Sequence, residues 1–362
     1  MGKLMGSDKA EISRYAKVER QTRLSFPQDH GAHEDYRQEW WYLTANLHNQ
    51  QGEALGLQWT QFRIALSPPE NSLPTAATTG ANQADSSVKD SQPGWATSQL
   101  YMAHSAVTTA SEHLSAERWS RGNPQLAGVE SSPLRIFLDD WQWQSRTDDL
   151  LPAVLQGGDR EFSYRLKLGG RSPYQLQGEQ GFSIKSADGK VASHYYSQPY
   201  IHIKGEVTIR GTTHQVMGKG WLDREWSSQF LTGEQQGWDW FALRLGEHQG
   251  RDTTLMLFQL RGGAGAGQHF YSGRLMRKDG TGRQLASQEI RMQVLKTHSS
   301  AKTQGKVVPI EWQINIPTEQ IALTVQALNA DAMMPLTIKY WEGPVIISGS
   351  HQGTGYMELT GY

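Results

Sequence analysis

The chain has 362 residues, 35 Lys and Arg against 36 Asp and Glu, a formal charge of −1, 13 Trp, 37 Gly and no Cys. That balance supplies no basic field for a nucleic-acid backbone, and the missing thiols exclude a disulfide framework, a thiolate metal site and a cysteine nucleophile. No apolar run approaches the roughly 18 residues a membrane-spanning helix needs, and the length favours two domains.

Residues 1–23 are polar and contain the leader-like segment Met5-Gly6-Ser7-Asp8-Lys9, so a flexible tail or expression leader is expected, with a natural export signal cut away. His30 and His33 follow in a spacing that puts them on neither one helix face nor one strand face, which favours hydrogen-bonded loop histidines over a metal pair. Glu39 and Trp41 then share one face of an extended segment that leads to Gln61-Phe62-Arg63. Residues 67–99 are built almost wholly of small and polar residues and predict a mobile surface loop inserted before the strand Tyr101-Met102-Ala103-His104. Further acid–aromatic alternation occurs at Asp139, Trp141 and Trp143.

Period-two patterning dominates the middle of the chain. Phe162, Tyr164, Leu166 and Leu168 share one face, as do Ile201, Ile203, Val207 and Ile209, with charged residues between them. His194 and Tyr196 alternate onto one side of their segment, and Trp221, Asp223 and Glu225 onto one side of theirs. A carboxyl desolvated by an indole has its pKa raised and can serve as a proton donor at neutral pH; equally, Arg224 can pair with one of these acids in a structural network. Trp238-Asp239-Trp240-Phe241 leads to Gln259-Leu260-Arg261 as Trp40-Trp41-Tyr42-Leu43 leads to Gln61-Phe62-Arg63, and each copy meets a tyrosine-led strand. Two related β-domains in tandem follow, spanning residues 24–232 and 233–362. Residues 262–267 lack a P-loop ending and read as a hairpin turn, and Ile321, Leu323 and Val325 mark a late strand. Gly, Pro, Asn and Asp punctuation predicts about fifteen strands, hence an all-β meander, and metalloprotease, nucleophile-elbow and EF-hand signatures are absent.

Six segments taken together make the sequence recognisable: residues 26–33, 39–44, 194–197, 221–226, 237–241 and 355–362. In order, they resemble the AttH/CrtC family of AttH-like lipocalin-related proteins and carotenoid 1,2-hydratases. The resemblance implies two tandem lipocalin-like antiparallel β-barrel or sandwich domains, no cofactor, and a periplasmic or secreted protein associated with an ABC transport system. It also implies that Trp221-x-Asp223 and His194-x-Tyr196 match the hydratase positions, with Asp223 as acid, His194 positioning water, and Tyr196 and Trp221 shielding a cation. The Leu-Asp-Arg-Glu-Trp segment is nearer the AttH branch than the hydratases. The expected function is binding of an extended apolar, isoprenoid or lipid-like molecule in aromatic-lined space, with Trp41, Glu39, His104, Glu225, Trp238 and Trp240 as further contact residues. The alternatives are a cofactor-independent hydratase or cyclase acting on an isoprenoid C=C bond, and an accessory protein of ABC transport.

Overall fold

Apolar side chains at a period of two build half-buried strands, as in Phe162–Gly169, where buried and exposed positions alternate. Where a strand is covered on both faces the alternation disappears, and Ala54–Ala65 is buried along nearly its whole length. The computed structural model, which describes residues 13–69, 97–229, 235–262 and 269–362, consists almost entirely of such strands. They form two antiparallel sheets, one of thirteen strands between Gln38 and Ser227 and one of ten between Gln235 and Thr360. One curls into a nearly closed barrel and the other into a half-barrel. The described residues contain 23 strands rather than about fifteen, because short pieces such as Gln175–Leu176, Phe182–Ile184 and Met333–Pro335 pair onto the flanks of longer strands.

The repeated motif is a repeated hairpin. Gln38–Asn49 pairs with Ala54–Ala65, Gln235–His248 pairs with Arg251–Gly262, and Gln99–Thr108 and Phe270–Arg277 add the tyrosine-led third strands. In the first sheet Gln38–Asn49 is also bonded to Thr212–Ser227, which in turn pairs with Ala192–Ile209. In the second, Gln235–His248 is bonded to Gly353–Thr360, which pairs with Lys339–Gly349.

Each sheet wraps a core of its own. Trp41, Leu43, Leu57, Trp59 and Trp143 belong to the first, and Phe241, Leu243, Leu257, Trp312 and Leu323 to the second. The opposite faces of the central strands meet each other in a third layer that holds Tyr42, Tyr195, Trp221, Trp240, Met256 and Phe258. Three apolar layers across two sheets account for the large aromatic complement. Gly56 marks how closely the sheets approach, since a Cβ there would lie 2.5 Å from the Pro344 ring. Gly56→Ala is therefore expected to cost about 1–3 kcal/mol by forcing the layers apart, measured as a lowered urea midpoint.

Residues 1–12 of the expected tail lie outside the described residues, but its later part is docked. Tyr15 is buried and donates to the carbonyl of Ala65 at 3.3 Å, and the Ala16 amide donates to the Asp35 carbonyl at 2.9 Å. The expected mobile loop 67–99, apart from its ends, and the glycine-rich turn, apart from Gly262, also fall outside the described residues. No helix among the described residues is long and apolar enough to cross a membrane.

Candidate functional site

Side-chain alternation along Thr212–Ser227 decides where the site lies. Trp221, Asp223 and Glu225 face the layer between the sheets, whereas Leu222, Arg224 and Trp226 face the first core. Directly beside Asp223 across the strands stand Tyr42 and Ser197. On the second sheet, Glu358 stands between Trp240 and Glu342 in the same manner. The two rows enclose a pocket of about 120 Å³, whose walls include Asp223, Glu358, Trp238, Trp240, Phe258 and Tyr195. Trp40, Trp238 and Lys185 are half-buried at its rim.

Asp223 is buried and is held by three neutral donors. Tyr195 Oη donates to Oδ2 at 2.7 Å, while Ser197 Oγ and Trp221 Nε1 donate to Oδ1 at 2.5 and 2.8 Å. Burial pushes its carboxyl up to about 7, against the pull of those hydrogen bonds, with the nearby Glu225 charge adding to the rise. Glu358 accepts from Trp238 Nε1 at 2.7 Å and is also raised by burial to about 7, with Asp223 and Glu225 contributing. Glu342, behind it, accepts from Tyr42 Oη at 2.5 Å and is raised well above the usual range by burial and by Glu358. Glu225 differs, because Lys185 Nζ lies 2.9 Å from it and Ser193 donates to it. Lys185 also lies over the rings of Tyr195 and Phe258 at 4.6 and 4.5 Å. Among the described residues, the pocket thus contains one compensated carboxylate and two carboxyls without a cation partner.

Several sequence expectations are redistributed by the sheet. Trp221, Asp223, Glu225, Trp238 and Trp240 come together in the intersheet layer. His194 and Tyr196 do not join them, because they are cross-strand partners of Trp226 and Arg224 and share the opposite face. Tyr196 belongs to the first core, where its hydroxyl lies 2.7 Å from His30 Nδ1, and His194 is pushed down to about 4 by burial beside Trp226 and Tyr36. Tyr195, Ser193 and Ser197 take the places beside the acids.

Trp41 and Glu39 likewise face the first core rather than the pocket. The expected pairing of Arg224 with Asp223 or Glu225 is corrected for the same reason: Arg224 binds Glu39 and stacks 3.9 Å over Trp41. His104 sits in the intersheet layer one strand beyond the pocket, 2.9 Å from the hydroxyl of the pocket residue Tyr340, and burial lowers its pKa to about 4. His30 and His33 are engaged separately, His30 with Asp149 and Tyr196, His33 with Asp29 and Glu39, and no group able to hold a metal is found among the described residues.

A lipocalin-like pair of packed antiparallel sheets, with an aromatic, acid-bearing pocket between them, defines the class of this protein. The chain belongs to the AttH-like family, whose model matches residues 17–362. Among solved structures it is similar to a protein of Nitrosomonas europaea assigned to AttH, at 29% identity and a TM-score of 0.78, over 96% of this chain and 99% of that one. It also shares its fold with kievitone hydratase from Nectria haematococca, at 12% identity and a TM-score of 0.63, over 95% and 97% of the two chains. No curated protein sequence matches the chain.

Proposed function

We propose that the protein binds the end of an apolar, unsaturated isoprenoid-like molecule between its two sheets, and that Asp223 protonates a C=C bond there in a hydration or cyclisation. The observation that carries this reading is a fully buried carboxyl, raised to about 7, which faces an aromatic pocket and has only neutral hydrogen-bond partners among the described residues. An acid kept protonated near neutral pH can donate to carbon, and the faces of neighbouring indole and phenol rings stabilise the cation that results. About 120 Å³ accommodates a single ring or branched end group, so the remainder of an extended ligand would run out past the half-buried Trp40 and Trp238. The reading agrees with the family resemblance and with the hydratase among proteins of the same fold.

Incubation with geranylgeraniol and other acyclic polyenes in D2O tests it. The native chain is expected to retain the probe in native mass spectrometry and to form a product with one deuterium on carbon, while Asp223→Asn retains the probe and forms none. Failure of the native chain to retain any apolar probe would remove the reading.

A further inference from the structure

Addition of water to an alkene needs two proton-handling groups, one to give a proton to carbon and one to take a proton from the attacking water. Among the pocket carboxyls Glu225 is compensated by Lys185, so it is already committed to an ion pair. The others lie on opposed walls. Asp223 is on the first sheet in the row Tyr42, Asp223, Ser197, and Glu358 is on the second in the row Trp240, Glu358, Glu342. The rows meet where the Tyr42 ring lies 5.2 Å from Trp240 and its hydroxyl donates to Glu342. A ligand entering between the sheets therefore has one of these carboxyls on each side.

We propose that Glu358 is the second catalytic residue of this pocket, forming with Asp223 a pair that shares one proton, the acid on one wall and the carboxylate on the other. The inference rests on the proposed function for its chemistry and on the opposed rows for its geometry. In the step it supports, the O–H bond of Asp223 breaks as a C–H bond forms at one alkene carbon. The π electrons are consumed, a water oxygen bonds to the adjacent carbon, and the proton released by that water goes to Glu358. Glu358 then carries the proton released by the water while Asp223 is left as carboxylate, and passage of one proton from Glu358 to Asp223 restores the starting state of the pair. Ionisation of Asp223 raises the proton affinity of Glu358, so donation by the first strengthens the second as a base.

Glu225 and Lys185 compensate each other at the mouth, Glu342 backs Glu358 and raises no demand for a cation while it is protonated, and Tyr195 and Tyr340 are phenols whose ionisation burial pushes up.

Carbon-13 NMR titration of the full chain labelled at its Asp and Glu carboxyls tests the pair without a ligand, with Asp223→Asn and Glu358→Gln identifying the two resonances. The expected result is an interlocked titration around neutral pH, in which Glu358→Gln lowers the Asp223 midpoint by about one unit or more and Asp223→Asn lowers that of Glu358. Midpoints that do not move when the partner is neutralised would overturn the pair and leave the proposed function standing. Interlocked titrations together with deuterium labelling by Glu358→Gln at the native rate would overturn the base role alone. Interlocked titrations in a chain that labels no polyene would support the pair and count against the proposed function.

Discussion

Asp223→Asn is expected to fold, to become more stable than the native chain as pH rises, and to lose proton transfer to carbon altogether. Its carboxyl ordinarily ionises at 3.8 and in the folded chain at about 7, because burial among Trp221, Tyr195 and Trp240 penalises the charge. A raised acid stabilises the fold fully below its ordinary pKa, and that contribution is lost as pH rises towards and through 7. At about 1.4 kcal/mol per unit, the native chain loses roughly 2–3 kcal/mol from this group between pH 5 and 8, and the amide does not. Asparagine can still accept from Ser197 and Trp221 through its oxygen and can donate to the Tyr195 hydroxyl through its nitrogen, so the geometry survives. Urea unfolding at pH 5 and pH 8 measures the effect. A difference between variant and native chain that stays the same at both pH values would mean that Asp223 is ionised throughout.

The second large effect lies on the other face of the same sheet, on the neighbouring strand Gln38–Asn49. Glu39 is completely buried; burial opposes its charge, yet Arg63 and Arg224 together hold its carboxyl well below the usual range. Arg63 also donates to the carbonyls of His33 and Tyr36 at 2.7 Å, and Arg224 donates to that of Gly31. The cluster therefore fastens the segment before the first strand to the inside of the sheet. Glu39→Gln leaves two guanidinium groups buried without their counter-ion and is expected to cost about 3–5 kcal/mol at neutral pH. Because the folded pKa is depressed, this stability is present above the ordinary carboxylate pKa and lost as pH falls through the folded value. The folded fraction should bind apolar probes as the native chain does, since Glu39 points away from the pocket. A cost below about 1 kcal/mol, or selective loss of binding at full stability, would show that the cluster is a ligand site rather than a fastening.

The sheets and the pocket were legible in the sequence to different depths. Alternation at Ile201, Ile203, Val207 and Ile209 is plain because one side of that strand is largely exposed. The same strand is buried on both sides from Ala192 to Ile201, so its pattern there does not say whether His194 and Tyr196 or Tyr195 and Ser197 face the acids. Pairing register resolves it: Ser197 lies opposite Asp223, and a shift of one residue would exchange the two sets. The separation of Arg224 from Asp223, by contrast, already follows from the two-residue period. Glu358 lies in a recognised segment, Gly355-Tyr356-Met357-Glu358, and alternates with Tyr356 onto the pocket side. Only the stacking of one sheet on the other turns that alternation into a second wall, which is a long-range fact that local pattern does not carry.

The proposed ligand site lies between the sheets beside Asp223, not inside the first core beside Tyr196. Crystals of the protein soaked with a brominated prenyl alcohol would locate the ligand by the anomalous signal of its bromine. The expected peak lies between Trp240 and Asp223; a peak among Tyr196, His30 and Trp226 would place the ligand in the first core instead.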